Sequence, residues 1–315
     1  MGNRNILVIG AGGQLGSELT HALRQLHGES NVIATDIKNP GGIVAEGRFE
    51  ILDVLDQKRL FDVVRKNNVV EVYHLAAVLS ATGEKNPKFA WHLNMDGLIH
   101  VLDAAVEFKV AKVYWPSSIA VFGPNTPKES TPQETLMDPT TIYGISKQAG
   151  ERWCDWYYRK HRVDVRSLRY PGLIGYKAKA GGGTTDYAVE IFFKAITDKK
   201  YTCFLKPDTY LPMMYMDDAI KATLDLMDAP AEKISVRSSY NISAMSFSPA
   251  EIAEEVRKHI PEFEITYEPD FRQAIAETWP RSIDDSQARG DWGWRHQFTL
   301  QEMVREILQK LAGVS

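Results

Sequence analysis

The chain lacks several features that would place a protein in a specialised class. Its 315 residues carry 37 basic and 41 acidic side chains, and the net charge of −4 leaves no basic excess for nucleic acid or anionic lipid. The longest apolar runs, such as residues 6–9, are far shorter than the roughly 18 residues of a spanning helix. The first residues match neither a secretory signal nor a myristoylation pattern. We therefore expect a globular protein with no membrane span.

Cysteine is also scarce. Cys154 and Cys203 lie far apart, and nothing else indicates an oxidising compartment, which predicts two reduced thiols in a cytoplasmic protein. The histidines include no pair three or four residues apart, and none lies near a cysteine at ligand spacing. No metal site is therefore predicted.

What the chain does have is an alternation of short β-branched runs and amphipathic segments. Strands are predicted at 5–10, 31–36, 48–53, 69–74, 112–116 and 164–170, and helices at 14–26, 57–66, 88–108 and 142–161. Alternation of this kind implies parallel pairing. The predicted fold class is α/β, with a doubly wound, mostly parallel Rossmann sheet of six or seven strands.

The regular alternation of predicted strands and helices ends after Tyr170, where Pro171, Gly172 and a triple glycine at 181–183 interrupt the hydrophobic periodicity. A second lobe is expected from there. The predicted division is a dinucleotide-binding domain at 1–172 with a return segment at 210–235, and a smaller mixed α/β substrate-binding lobe at 173–209 and 236–315.

A glycine-rich turn, Gly10-Ala11-Gly12-Gly13-Gln14-Leu15-Gly16, follows the first predicted strand. Bare backbone lets a pyrophosphate approach the start of a helix, where unpaired N–H groups and the helix dipole favour an anion. The alternative is a tight turn with no ligand. The position at the first strand-to-helix junction favours a dinucleotide.

Asp36 ends the second predicted strand, 26 residues after Gly10. A carboxylate there accepts hydrogen bonds from both hydroxyls of an adenosine ribose and repels a 2′-phosphate. NAD is therefore favoured over NADP, although Lys38 is close by. A solvated strand-end carboxylate is the alternative.

Tyr143 and Lys147 lie four residues apart and share one face of a predicted helix. A nearby ammonium favours the phenolate, which makes Tyr143 a candidate general base. Ser118 follows the fifth predicted strand, where parallel sheets bind ligands, and its hydroxyl is expected to orient the reacting oxygen. Alone, the Tyr and Lys pair would indicate only a solvent-facing helix; Ser118 favours catalysis.

These motifs resemble those of the extended short-chain dehydrogenase/reductases, the NAD-dependent epimerase/dehydratase group, over nearly the whole chain. The resemblance implies NAD as cofactor, with Asp53 and Val54 beside the adenine and Asn94 fixing Lys147 through water. The cofactor-binding residues predicted from the glycine turn, Asp36 and the resemblance are Gly10, Gly13, Gln14, Leu15, Gly16, Asp36, Asp53, Val54, Leu75, Ala76, Ala77, Asn94, Tyr143, Lys147, Tyr170, Gly172 and Ile174.

Within that group the chain is most similar to the short-chain type of L-threonine 3-dehydrogenases, through the strings at 170–174, 181–188, 201–205 and 210–215. This implies oxidation of the 3-hydroxyl of L-threonine to 2-amino-3-ketobutyrate, with Tyr143 as base and Ser118 and Lys147 as catalytic partners.

A free amino acid must be bound by its carboxylate and its ammonium. The triple glycine, Thr184, Thr185 and the following helix start are predicted to bind the carboxylate, and Ser80 to accept from the ammonium. Together with Ser118 and Tyr143 these are the predicted substrate residues. A flexible linker is the alternative for the triple glycine.

Two other functions stay open. Lys177 and Lys179 would suit a diphosphate, as in a UDP-sugar 4-epimerase or dehydratase with tightly held NAD. A non-catalytic dinucleotide sensor is the third possibility, against which the complete catalytic set argues. The expected partner is a small amino acid, with no nucleic acid and no membrane. The resemblance also implies a homodimer through the helices around 88–108 and 142–161.

Overall fold

The computed structural model describes residues 5–178 and 181–313. The strands are β1 (Asn5–Ile9), β2 (Val32–Asp36), β3 (Phe49–Ile51), β4 (Val69–His74), β5 (Lys112–Tyr114), β6 (Ser117–Ser118), β7 (Val165–Arg166), β8 (Leu168–Tyr170), β9 (Gly172–Ile174), β10 (Lys200–Cys203), β11 (Leu211–Tyr215), β12 (Tyr240–Asn241), β13 (Met245–Phe247) and β14 (Glu264–Tyr267). The helices are α1 (Gln14–His27), α2 (Gly42–Glu46), α3 (Gln57–Lys66), α4 (Ser80–Gly83), α5 (Pro87–Trp91), α6 (Gly97–Glu107), α7 (Ile142–His161), α8 (Tyr187–Thr197), α9 (Met216–Asp228), α10 (Pro249–Arg257), α11 (Phe271–Ala276), α12 (Ser286–Trp292) and α13 (Leu300–Ala312).

A six-stranded parallel sheet organises the N-terminal half. Its order is β3-β2-β1-β4-β5-β7. The chain moves outward from β1 in one direction to β3 and then crosses to β4 on the other side, so the strand order reverses between β1 and β4. Sheets of this type bind ligands at that reversal. The predicted doubly wound Rossmann class is confirmed.

Helices cover both faces of this sheet because successive side chains of a strand point to opposite faces. On β1, Leu7 and Ile9 belong to one core, which α3, α6 and α7 complete, whereas Ile6 and Val8 belong to a second core with α1 and α9. The first helix and the ends of β1 and β4 are thereby held rigidly around the reversal.

The C-terminal end of α9 is fixed to the sheet by two cations. The fully buried Arg166 donates hydrogen bonds to the carbonyl oxygens of Leu226 (2.6 Å) and Ala229 (2.6 Å), and Lys112 donates to that of Met227 (2.5 Å). Positive charge at this end also complements the helix dipole. The segment predicted to return to the sheet thus packs there. β12, which lies outside that segment, pairs with β8 in the separate three-stranded sheet β12-β8-β6. The two-lobe division stays a prediction.

The other elements form smaller sheets around a third core. β11 pairs in parallel with β9 and antiparallel with β13, and β10 pairs with β14. α8, α10 and α13 contribute Phe192, Ile252 and Ile307 to this core. The mixed α/β character agrees with the prediction for the C-terminal region.

The long helix predicted at 88–108 is confirmed and contains a wider turn. α5 and α6 are joined by a π-type turn at His92–Asp96, so the chain is helical from 87 to 107. Asn94 lies on the buried side of this turn, where its amide bonds both backbone groups of Val78. Apolar periodicity does not report the one additional residue in that turn.

Two further expectations concern the chain as a whole. None of the helices within 5–178 and 181–313 combines the length and the apolar character needed to cross a bilayer. Cys154 and Cys203 are buried, unpaired thiols.

Candidate active site

A cavity of about 490 Å³ lies at the carboxyl ends of β1 and β4, where the strand order reverses. The glycine turn, the end of β4, α7 and the segment after the triple glycine all contribute to its wall. The predicted residues that line it are Gly10, Gly13, Gln14, Leu15, Gly16, Leu75, Ala77, Ser80, Ser118, Tyr143, Lys147, Tyr170, Gly172, Thr184 and Thr185.

The glycine turn is shaped by close backbone approaches. Gly10 has a φ of +83°, and a Cβ on Gly16 would lie 2.2 Å from the carbonyl oxygen of Gly10. At Gly13, by contrast, the nearest protein atom to a Cβ would be 3.6 Å away, and this residue faces the cavity. α1 begins directly after it, with no acidic residue in its first turn. The turn therefore fits the pyrophosphate of a dinucleotide.

Asp36 is fixed beside this turn. Its carboxylate accepts hydrogen bonds from the N–H groups of Gly12 (2.9 Å) and Ile37 (2.8 Å). It therefore stands at the edge of the groove, where the ribose hydroxyls are expected. Asp53 accepts a hydrogen bond from the N–H of Leu55 at 2.9 Å, and its place beside the adenine stays a prediction.

Some predicted cofactor residues are not among those that line the cavity. Val54 and Ile174 are buried in hydrophobic cores, and Ala76 packs against Gly10. Asn94 bonds the backbone of the loop after β4 and donates to Ser146 at 3.1 Å. It fixes that loop, and its predicted contact with Lys147 through water stays a prediction.

Tyr170 lines the cavity, but its hydroxyl points elsewhere. That hydroxyl is hydrogen-bonded to those of Tyr114 (2.7 Å) and Thr223. Only the remainder of the residue is therefore available to a cofactor.

Tyr143 and Ser118 are brought together as predicted. Thr141 caps α7 by accepting from the N–H of Gly144 at 3.1 Å, which fixes the first turn and Tyr143 with it. The hydroxyl of Ser118 lies beside that of Tyr143 and lowers the pKa of the phenol, but burial has the larger effect and raises this pKa to about 12. The expected acidic phenol is thus not a property of the protein alone, because desolvation of the phenolate outweighs the effect of Ser118.

Lys147 is buried below the phenol. Its ammonium donates to the carbonyl oxygen of Pro116 at 2.5 Å and lies 4.4 Å from the ring centre of Trp115 and 5.5 Å from that of Tyr143. Burial lowers the pKa of Lys147 to about 7, although Glu151 raises it. The amine therefore titrates near neutral pH.

From the segment after the triple glycine, Thr184 and Asp186 border the cavity. The hydroxyls of Thr184 and Ser80 lie 3.3 Å apart, as expected if both face one substrate. One oxygen of Asp186 accepts from the N–H groups of Gly182 and Gly183, each at 2.7 Å. The prediction that the triple glycine binds a carboxylate is therefore wrong for these two amides, because Asp186 already uses them.

Asp186 and Trp279 line the cavity and received no role from the sequence. For Asp186, the position of an acidic residue directly after Gly-Gly-Gly-Thr-Thr was a sequence signal that could have indicated the site. Trp279 comes from the distant C-terminal part of the chain, and no local pattern connects it with the site.

Of the two lysines considered for a diphosphate, the structure describes one. Lys177 forms an ion pair with Glu18 at 2.7 Å, so its charge is already matched. Lys179 lies outside the described residues.

Comparison with known proteins agrees with this geometry. The profile of the NAD dependent epimerase/dehydratase family matches residues 6–243. The chain belongs to this family. The family's cofactor is NAD, which agrees with the prediction. An uncharacterized epimerase/dehydratase of Staphylococcus saprophyticus is 47% identical over 98% of this chain and 98% of its own.

Two solved structures of family-like architecture are also similar. The holo form of a GalE-like L-threonine dehydrogenase from Cupriavidus necator is 57% identical, covers 98% of this chain and 99% of its own, and superposes with a TM-score of 0.95. An L-threonine dehydrogenase from Phytophthora infestans is 49% identical over 99% of this chain and 100% of its own, with a TM-score of 0.96.

Proposed function

We propose that the protein is an NAD-dependent L-threonine 3-dehydrogenase, which converts L-threonine and NAD⁺ to 2-amino-3-ketobutyrate, NADH and a proton. The observation that carries the proposal is that Ser118, Tyr143 and Lys147 share one cavity with the carboxylate of Asp186. The first three supply what oxidation of a hydroxyl needs, and Asp186 supplies what a substrate ammonium needs. Similarity to two L-threonine dehydrogenases supports this assignment.

In this proposal Tyr143 removes the proton of the substrate hydroxyl, and Ser118 donates a hydrogen bond to the same oxygen. Lys147, when protonated, stabilises the phenolate of Tyr143 from below. When bound, NAD⁺ accepts the hydride from the substrate β-carbon and adds a positive charge that favours the phenolate. Lys147 is buried and Tyr143 and Ser118 are partly buried, which limits the access of water to the reacting oxygen.

For substrate binding we assign the ammonium to Asp186. Two backbone amides donate to one oxygen of its carboxylate. These two bonds are sufficient to fix the orientation of the carboxylate toward the cavity. The hydroxyls of Ser80 and Thr184 then remain for the substrate carboxylate. Thr184 thus keeps the role predicted from the sequence, whereas Ser80, predicted to accept from the ammonium, is reassigned to the carboxylate.

The cofactor contacts belong to the same proposal. The glycine turn at 10–16 would bind the pyrophosphate at the start of α1, and Asp36 would bind the adenosine ribose. Residues 1–172, with the return segment 210–235, act as the dinucleotide-binding domain, and 173–209 with 236–315 as the substrate lobe.

The function is tested by offering NAD⁺ with L-threonine, L-allo-threonine, L-serine, 3-hydroxybutyrate or UDP-galactose in parallel and following NADH by absorbance. We expect NADH from L-threonine above all. Tightly retained nicotinamide, no NADH from threonine and conversion of UDP-galactose would instead establish the epimerase. The Tyr143→Phe variant is the control: it should lose turnover and keep the wild-type Kd for NAD.

We also propose a cytoplasmic homodimer that acts in threonine catabolism. Support for the dimer comes from exposed aromatic side chains on the two predicted interface helices: Trp153 is 37%, Trp156 46% and Trp91 40% exposed. Such rings are characteristic of interface centres. Sedimentation velocity should give a dimer for the wild type and a monomer for Trp156→Glu. A monomeric wild type would refute the interface.

A further inference from the structure

A row of contacts joins α7 to the segment 116–118. Tyr143, Lys147 and Glu151 are spaced by four residues and therefore lie on one face of α7. Lys147 donates to the carbonyl oxygen of Pro116, the first residue of the segment, and the hydroxyl of Tyr143 lies beside that of Ser118, the third. Glu151 completes the row by accepting a hydrogen bond from the middle residue, Ser117, at 2.7 Å.

Glu151 is held from the opposite side by Arg169. The guanidinium binds the carboxylate through two hydrogen bonds of 2.9 and 2.8 Å, and both side chains are buried, at 0% and 3% exposure. Arg169 also donates to the carbonyl of Gln133 (2.9 Å) and to Asn241 (3.0 Å), so it has no freedom to turn away. Ser117 and Arg169 are register partners in the β6–β8 ladder.

Stability alone does not account for this pair. A buried ion pair gains little over well-packed apolar side chains of the same volume, because both charges must be desolvated. The location of the ion pair offers another explanation for its presence. Nε of Arg169 and the hydroxyl of Ser117 donate hydrogen bonds to the same oxygen of Glu151. In the chain, Ser117 lies between Pro116, which contacts Lys147, and Ser118, which lies beside Tyr143.

We infer that Glu151, clamped by Arg169, is a positioning residue of the active site. Through Ser117 it fixes the end of β6, and so sets the distance from Ser118 to Tyr143 and from the carbonyl of Pro116 to Lys147. The inference rests on the catalytic roles proposed above for Ser118, Tyr143 and Lys147.

The test removes only the link. Ser117→Ala leaves the ion pair intact and deletes the hydrogen bond to Glu151. The matched control is Ser167→Ala, which deletes a buried hydroxyl bond of 2.9 Å to Ser239, the residue before β12, and does not involve α7. For each we would measure kcat, the Kd for NAD, the melting temperature, and the isotope effect with threonine deuterated at the β-carbon.

We expect Ser117→Ala to lose on the order of tenfold in kcat, because sub-ångström displacement of catalytic groups is costly. Its Kd for NAD and melting temperature should match those of Ser167→Ala, and its isotope effect should be no smaller than that of the wild type. A kcat within twofold of Ser167→Ala, or a loss with a smaller isotope effect, overturns the inference. Unimpaired turnover in Tyr143→Phe would instead overturn the proposed function, which keeps the two failures distinct.

Discussion

The ammonium of Lys147 lies within hydrogen-bonding distance, 2.5 Å, of the carbonyl oxygen of Pro116 and is shut off from solvent. One carbonyl dipole does not replace the hydration of an ammonium, so the pKa of Lys147 falls to about 7. The residue is therefore a titrating group in the pH range where the protein is expected to work.

This shift makes stability depend on pH. Between about pH 7 and pH 10 the unfolded chain keeps this lysine protonated while the folded protein releases the proton, so the unfolded state binds more protons and stability rises with pH. We expect Lys147 to contribute a rise of up to about 1.4 kcal/mol per pH unit in the free energy of unfolding. Urea titrations at several pH values should show a flatter dependence for Lys147→Met. Parallel curves for the two proteins would contradict this.

The glycine turn offers a matched pair of substitutions. A Cβ at Gly13 meets no protein atom closer than 3.6 Å, whereas one at Gly16 would lie 2.2 Å from a carbonyl oxygen. Gly13→Ala should therefore keep the wild-type melting temperature and weaken NAD binding by on the order of tenfold, since the methyl group enters the pyrophosphate site. Gly16→Ala should unfold at lower temperature. Calorimetry and NAD titration of both variants decide the matter, and unchanged NAD affinity in Gly13→Ala would place the pyrophosphate elsewhere.

The role of Asp186 is separable from its structural bonds. In Asp186→Asn the amide oxygen still accepts from Gly182 and Gly183, but the negative charge is lost. We expect kcat/KM for L-threonine to fall by about 10- to 100-fold, as for a charged hydrogen bond. The inhibition constant of 3-hydroxybutyrate, which has no ammonium, should hardly change. Equal losses for both compounds would exclude an ammonium contact.

The buried pair below the site predicts a large effect on stability. Arg169→Met leaves the carboxylate of Glu151 without its charged partner and should cost about 3–5 kcal/mol in the free energy of unfolding. The comparison is Arg65→Met: Arg65 pairs with Asp62 on the surface, with the two side chains 70% and 46% exposed, and its loss should cost less than about 1 kcal/mol. Equal shifts of the urea midpoint in the two variants would show that Arg169 does not offset the cost of burying the carboxylate of Glu151.

The sequence predicted what local patterns encode. Hydrophobic periodicity located the strands of the Rossmann sheet, and the spacing of Tyr143 and Lys147 placed both in one cleft because a helix face repeats every four residues. The glycine turn could also be recognised in the sequence, since it is formed by consecutive residues.

Long-range contacts were not predictable in the same way. The bond of Glu151 to Ser117 joins residues 34 apart, and the polar positions involved look like ordinary helix and strand residues. The triple glycine was misjudged for a related reason: the same glycine amides can bind an external anion or an internal carboxylate such as that of Asp186, and only the fold decides which. The pKa of Tyr143 depends on burial, which no motif encodes.

The anchoring of α9 by Arg166 and Lys112 limits how the protein can be divided. A fragment that ended at residue 172 would carry a buried guanidinium whose carbonyl acceptors had been removed, together with an apolar surface of α1 stripped of its cover. The six-stranded sheet is thus completed by α9, which follows β8 to β11 in the chain. During synthesis, all the carbonyl acceptors of Arg166 are present only once the chain extends to Ala229.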